Sequence, residues 1–103
     1  KVIPSKIAYE DDLVLAFHDI NPQAPVHILV IPKFHIDTVS SLNKKNIELL
    51  NELFLVANKL AKENNIDSSG YRLVINEGSD AGQAVKHLHL HLFGGRRMSW
   101  PPG

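Results

Sequence analysis

Three histidines alternate with leucines in His87-Leu88-His89-Leu90-His91-Leu92-Phe93, half of the six histidines in a chain of 103 residues. On an extended strand, neighbouring side chains point to opposite faces. The imidazoles then share one face, about 6.5–7 Å apart, and the leucines share the other. Two chemistries suit such a row. Neutral imidazoles ligate zinc, and two at i and i+2 can converge on one ion with His27 or His91 as a third. A ligating histidine usually has a carboxylate or carbonyl behind it, however, and the last strand carries no acidic residue. A neutral imidazole is also a nucleophile toward phosphorus, where it divides one hard displacement into two easier ones. Close imidazoles disfavour one another's charged form, which keeps the attacking ring unprotonated, and they can pass the proton a leaving group needs.

Just upstream, Gly78 and Gly82 alternate with the small residues Ser79, Ala81 and Ala84. Taken alone this is an ordinary turn signal. Beside the histidines it reads as a loop whose backbone N–H groups converge on an anion, with Asn76 adjoining. A phosphate needs such a cradle and a zinc ion does not. Composition agrees with a small-ligand site. There is no cysteine, and eleven basic residues balance eleven acidic ones. The chain therefore lacks both a thiol nucleophile and the basic footprint of a nucleic-acid or membrane-surface binder. No apolar run has the length of a membrane span, and no basic n-region precedes an apolar stretch at the start. These features predict a soluble cytoplasmic protein, or also a nuclear one in a eukaryote, with no metal and no cofactor. Lys1 in first place predicts that the natural N-terminus has been trimmed.

The elements that must hold these residues fit one α+β domain over 1–103. Runs at 7–9 and 13–20, around the acidic turn Glu10-Asp11-Asp12, predict an antiparallel hairpin. Residues 26–31 are apolar and largely β-branched, as in a central strand. Ile47, Leu50, Phe54, Ala57 and Ala61 recur at helical spacing and predict one long helix over 43–64 that covers the sheet. Leu49, Leu53, Val56 and Leu60 form a second stripe, which fits either a broadly buried helix or, as the sharper expectation, a two-fold dimer contact. Strands at 71–76 and 87–93 complete an antiparallel meander.

The segment from His87 to Phe93 resembles the signature of the histidine triad (HIT) family. The likeness extends over nearly the whole chain: Ile3-Pro4-Ser5-Lys6-Ile7, Tyr9-Glu10-Asp11, Ala16-Phe17-His18-Asp19-Ile20, Pro22-Gln23-Ala24-Pro25, His27 to Lys33, and Asn76-Glu77-Gly78-Ser79-Asp80 resemble the Hint branch. The ending Arg96-Arg97-Met98-Ser99-Trp100-Pro101-Pro102-Gly103 is similar to that branch's C-terminus. The resemblance implies a HIT-like fold and a homodimeric hydrolase of purine nucleoside 5'-monophosphoramidates. Such an enzyme cleaves the P–N bond of AMP or GMP amides through a nucleotidyl-histidine and needs no metal. It implies His89 as nucleophile, His91 at the phosphate, and His87 and His27 as supports. Asp19 would accept the ribose hydroxyls. Ile20, Phe17, His18 and Leu29 would shape the base pocket, while Asn76, Gly82, Gln83 and the backbone of Ala84 would hold phosphate. Trp100 would reach toward the partner subunit's site.

Each of these residues has a structural alternative. Asp19 suits a turn, Phe17, Ile20 and Leu29 suit a core, His27 suits a satisfied buried histidine, and Trp100 suits packing. The alternative functions are a non-catalytic nucleotide-binding or scaffold protein and a dinucleoside polyphosphate hydrolase. One departure lies inside the motif: Ala84 stands where the Hint pattern usually has serine.

Overall fold

A computed structural model describes residues 6–103; residues 3–5 of the resemblance lie outside the described residues. Among the described residues, five strands, β1 (Ile7–Glu10), β2 (Val14–His18), β3 (Val26–Pro32), β4 (Tyr71–Val74) and β5 (Leu90–Gly94), form one sheet with a single α-helix, α1 (Ile47–Glu63). All pairings are antiparallel. The order is β1-β2-β3-β5-β4. The expected antiparallel α+β sheet with one long helix is found, its first three strands a meander and its last two in the order β5-β4. The chain leaves β3, crosses through α1, lays β4 at the edge and returns with β5 between β3 and β4. This puts the histidine-bearing strand against His27 and Leu29 of β3.

Period-2 alternation divides the sheet into two faces. Val14, Ala16, Ile28, Val30, Leu90 and Leu92 are buried with Leu53, Val56, Ala57, Leu60 and Ala61 of α1 in one core. The opposite face carries Phe17, Leu29, Ile31, His91 and Phe93, all half-buried. Helix and site thus lie on opposite sides of the sheet.

Two helix expectations need correction. The helix begins at Ile47 rather than at 43, because the Asn43 Oδ1 accepts the N–H groups of Lys45 and Asn46 and closes a turn instead. The stripe expected to make a dimer contact is the core face: Leu53, Val56 and Leu60 are 0%, 5% and 1% exposed. Phe54 and Ile47, expected to cover the sheet, are exposed. Two amphipathic stripes side by side carry no signal of which one the sheet covers. At its C-terminus the helix stops at Asn64, whose side chain donates to Leu60 O at 2.8 Å, followed by Asn65 in the left-handed region at φ 60°. Ile66 then packs so closely on Gly94 that a Cβ there would sit 2.4 Å from Ile66 Cδ1.

Candidate active site

The last strand starts later than its pattern suggests. β5 opens at Leu90, so only His91 lies within it, and the expectation of three imidazoles in one regular row is corrected. Leu88 N–H donates to Ile36 O at 2.6 Å, which draws the approach to β5 toward the segment after β3 instead of along the ladder. The His87 ring turns to Pro32 O, at 3.0 Å from its Nε2. His89 stays beside His91, with ring centroids 4.9 Å apart in an edge-on arrangement.

Hydrogen-bond partners assign the tautomers. Gln23 N–H donates to His27 Nδ1 at 3.1 Å, so the His27 hydrogen sits on Nε2, 3.0 Å from His91 Nδ1. His91 accepts there and carries its own hydrogen on Nε2. Burial, with His89 and His27 nearby, pushes His91 down to about 4 against the opposing pull of Asp19. Burial also lowers His27, again opposed by Asp19. Both rings are neutral at pH 7, and His91 presents an N–H. At His89, Nδ1 donates to His87 O at 2.8 Å, which leaves the Nε2 lone pair free. The arrangement is a nucleophilic nitrogen beside a neutral N–H donor.

Phe17, Leu29, Ile31, Val85, His87 and His89 line a largely apolar cavity of about 240 Å³. The structure therefore brings His89 and His87 together with Phe17 and Leu29. His27 is buried beside His91, its ring tilted by 35° against that of Phe93 with centroids 4.2 Å apart. The Asp19 Oδ1 accepts Asn21 N–H at 2.8 Å, while its Oδ2 lies 3.5 Å from His27 Nε2. The carboxylate thus makes the turn and also faces the histidines. His18 is half-buried and its pKa is lowered by burial and by Lys6, and Ile20 is 87% exposed. Neither lines the cavity. Asn76 lines a separate, more polar hollow with Gln23, Arg72 and Arg96. Trp100 is 83% exposed.

In the glycine loop, Gly78 and Gly82 have φ of 82° and 85°, a region that favours glycine. Its N–H groups are mostly engaged internally. Ala81 and Gln83 donate to Gly78 O, Gly82 donates to Ser79 O, and Gly78 donates to the Gln83 Oε1. The Gln83 Nε2 in turn donates to Asp37 O and Val85 O. Gln83 is thus a clamp of the loop, and Gly82 N–H is already committed. The Ala84 N–H has no acceptor among the described residues.

Three residues escaped the sequence reading. Ile31 and Val85 complete the cavity wall. His35, the one histidine given no role, meets His87 Nδ1 to Nδ1 at 3.1 Å, with Asp37 on its other nitrogen. A histidine two residues from an aspartate is the only sequence signal they left.

Among the described residues, one group brings metal-ligating atoms within 4.8 Å of one another: Asp19, His27 and His91. The His27–His91 hydrogen bond already uses two of those atoms.

A five-stranded antiparallel sheet with one crossing helix, and His89 paired with His91 at the edge of a cavity that His87 and His89 line, are the features of a histidine-triad domain. The HIT domain model matches residues 1–98. A crystal structure of a HIT family hydrolase from Legionella pneumophila Philadelphia 1 superimposes with a TM-score of 0.95 at 51% identity, covering 98% of this chain and 90% of that one. The 14 kDa zinc-binding protein of Zea mays is 50% identical over 100% of this chain and 81% of its own length. Adenylylsulfatase HINT1 of Arabidopsis thaliana is 48% identical over 100% of this chain and 71% of its own length. The chain belongs to the HIT family, among relatives described as hydrolases.

Proposed function

We propose that the protein hydrolyses purine nucleoside 5'-monophosphoramidates through a nucleotidyl intermediate on His89. The observation that carries this is the His89 Nδ1–H bond to His87 O, which leaves the Nε2 lone pair at the cavity beside neutral His91. The apolar wall of Phe17, Leu29 and Ile31 suits a base and ribose. His89 Nε2 attacks phosphorus, the P–N bond breaks, and the amine leaves with a proton drawn from solvent, to which the hydrolytic water of the second step returns one. His91 Nε2–H and the Ala84 N–H are donors for the charge on the phosphoryl oxygens. Water then attacks phosphorus, the bond to His89 breaks, the water's proton departs, and nucleoside monophosphate and neutral His89 remain. Asp19, with His18 and Ile20 on the same segment, would meet the ribose and base. Asn76, Gly82 and Gln83 would shape the phosphate side.

The same proposal includes a cytoplasmic homodimer with Trp100 reaching the partner's site. Its contact would use a surface other than Leu53, Val56 and Leu60. The test is turnover of an adenosine phosphoramidate with and without a chelator. Release of AMP far above buffer in both is the expected result. Tight nucleotide binding with no turnover would favour a binding protein instead. Activity only with zinc would favour a metal held by Asp19, His27 and His91, the arrangement that the grouping of their ligand atoms makes available.

A further inference from the structure

The segment that follows β3 is tied to the approach of β5 and to the glycine loop at four points. Leu88 N–H donates to Ile36 O at 2.6 Å, and the Gln83 Nε2 donates to Asp37 O at 3.0 Å. Ser40 N–H donates to the Glu77 Oε1 at 2.7 Å. The fourth tie is His35 to His87, with ring centroids 4.7 Å apart and planes at 88°. Three of these involve backbone and hold the segment in place by themselves. The fourth joins two imidazoles, and its geometry has a chemical consequence.

His87 Nε2 faces Pro32 O and donates to it, so a neutral His87 has only a lone pair at Nδ1. That lone pair faces His35 Nδ1, while His35 Nε2 faces the Asp37 carboxylate. A hydrogen must lie between the two Nδ1 atoms, because two lone pairs at 3.1 Å would repel. With the His87 hydrogen on Nε2, that hydrogen belongs to His35, and the Asp37 carboxylate faces the other nitrogen of the same ring. His35 is thereby a fixed donor to His87, and His87 is fixed at both ring nitrogens. The carbonyl of that same residue accepts from His89 Nδ1 and sets which nitrogen of His89 keeps its lone pair.

We propose that His35, braced by Asp37, is a positioning residue for the histidine strand: it locks His87, and through the His87 carbonyl it holds His89 in its attacking tautomer. The kinetic side of this proposal rests on the proposed function of His89. The coupling between His35 and His87 does not. The side chain of His35 is 61% exposed, so its removal leaves no cavity, and the backbone ties of Ile36 and Asp37 survive. A loss of rate without a loss of fold is the signature of such a role.

The test compares wild type with His35→Ala and His35→Asn by thermal unfolding, by turnover of an adenosine phosphoramidate, and by nitrogen-15 NMR of the imidazoles. Asparagine keeps an N–H near the position of Nδ1. His35→Ala should melt like wild type and lose about tenfold or more in kcat, the effect of loosening a reacting group, with KM changed by less than about twofold. His35→Asn should recover most of that loss. In the spectra, wild type should show hydrogen at His87 Nε2 and at His89 Nδ1, and His35→Ala should shift the His87 Nδ1 signal, as that nitrogen loses its donor, and show His89 averaging between tautomers. Unchanged tautomer signatures in His35→Ala would overturn the proposal whatever the turnover, and so would an asparagine variant as slow as the alanine one. If wild type itself turns over nothing, the proposed function fails on that result, and the spectra alone decide the role of His35.

Discussion

His27 Nε2 lies 3.0 Å from His91 Nδ1, and this contact places the hydrogens of both rings. His27 cannot donate from Nδ1, which accepts Gln23 N–H, so His91 must accept and must present its own N–H elsewhere. A buried histidine next to His91 thus works as a tautomer lock, in the manner of the partner that orients a catalytic imidazole.

Replacement of that lock should cost both stability and rate. His27→Ala leaves Gln23 N–H without its acceptor and opens a hole beside Phe93. Losing that part-buried hydrogen bond together with the packing of a buried ring costs about 1–3 kcal/mol. Urea unfolding should show a loss of at least that size, and kcat should fall while nucleotide affinity changes less. An unchanged midpoint would mean that His27 is not a structural acceptor.

The lowered pKa of His91 makes stability depend on pH in a stated direction. Its unfolded value is 6.5 and its folded value about 4. Below 6.5 the unfolded chain binds a proton that the folded chain refuses, so the contribution is complete above 6.5 and is lost as pH falls toward 4. His27, also lowered, adds to the same slope. Tm should therefore drop between these pH values, and His91→Asn should flatten the slope. An equal slope in the variant would assign the acid sensitivity to other groups.

On α1, position decides outcome. Val56 is 5% exposed and Leu55 is 62% exposed. Val56→Glu buries an unpaired charge in the core and should abolish cooperative melting, giving unfolded or aggregated chain instead of a folded monomer. Leu55→Glu should keep the wild-type circular dichroism and change stability by about 0.5 kcal/mol or less. A folded Val56→Glu protein would contradict the packing of α1 on the sheet.

Ala84, exposed three residues before His87, offers a gain-of-function test. In the proposed phosphoramidate reaction a hydroxyl there would add a donor beside the phosphate, and bonds to charged groups contribute about 1.5–3 kcal/mol when well aligned. If the bond forms in the transition state alone, Ala84→Ser raises kcat, and more for a basic amine leaving group than for a good one. Equal or absent gains would mean that backbone and imidazole donors already suffice.

Which parts of this were legible beforehand follows from the physics of each segment. The continuous apolar run of β3 announces a central strand, and the hairpin of β1 and β2 follows from its acidic turn, where the Asp11 Oδ1 accepts Leu13 and Val14 N–H. His89 and His91 were identifiable because alternation fixes their common face. The insertion of β5 between β3 and β4 was not, since period-2 patterns state which face is buried and not which strand is the neighbour. The departure of His87 from the strand depends on Pro32 O and His35, more than 50 residues away in sequence. Asp19 carries a turn bond and a histidine contact together, so its two sequence readings were never exclusive.

The most direct test of the central claim is intact-protein mass spectrometry after rapid quenching of a single turnover of adenosine phosphoramidate, with peptide mapping of any adduct. The account predicts one adenylyl group per chain, mapped to His89, forming and decaying at rates consistent with kcat, and absent from His89→Ala, which should bind nucleotide but turn over at least about 10²-fold more slowly. An adduct on another residue, or near-normal turnover by His89→Ala, would contradict it.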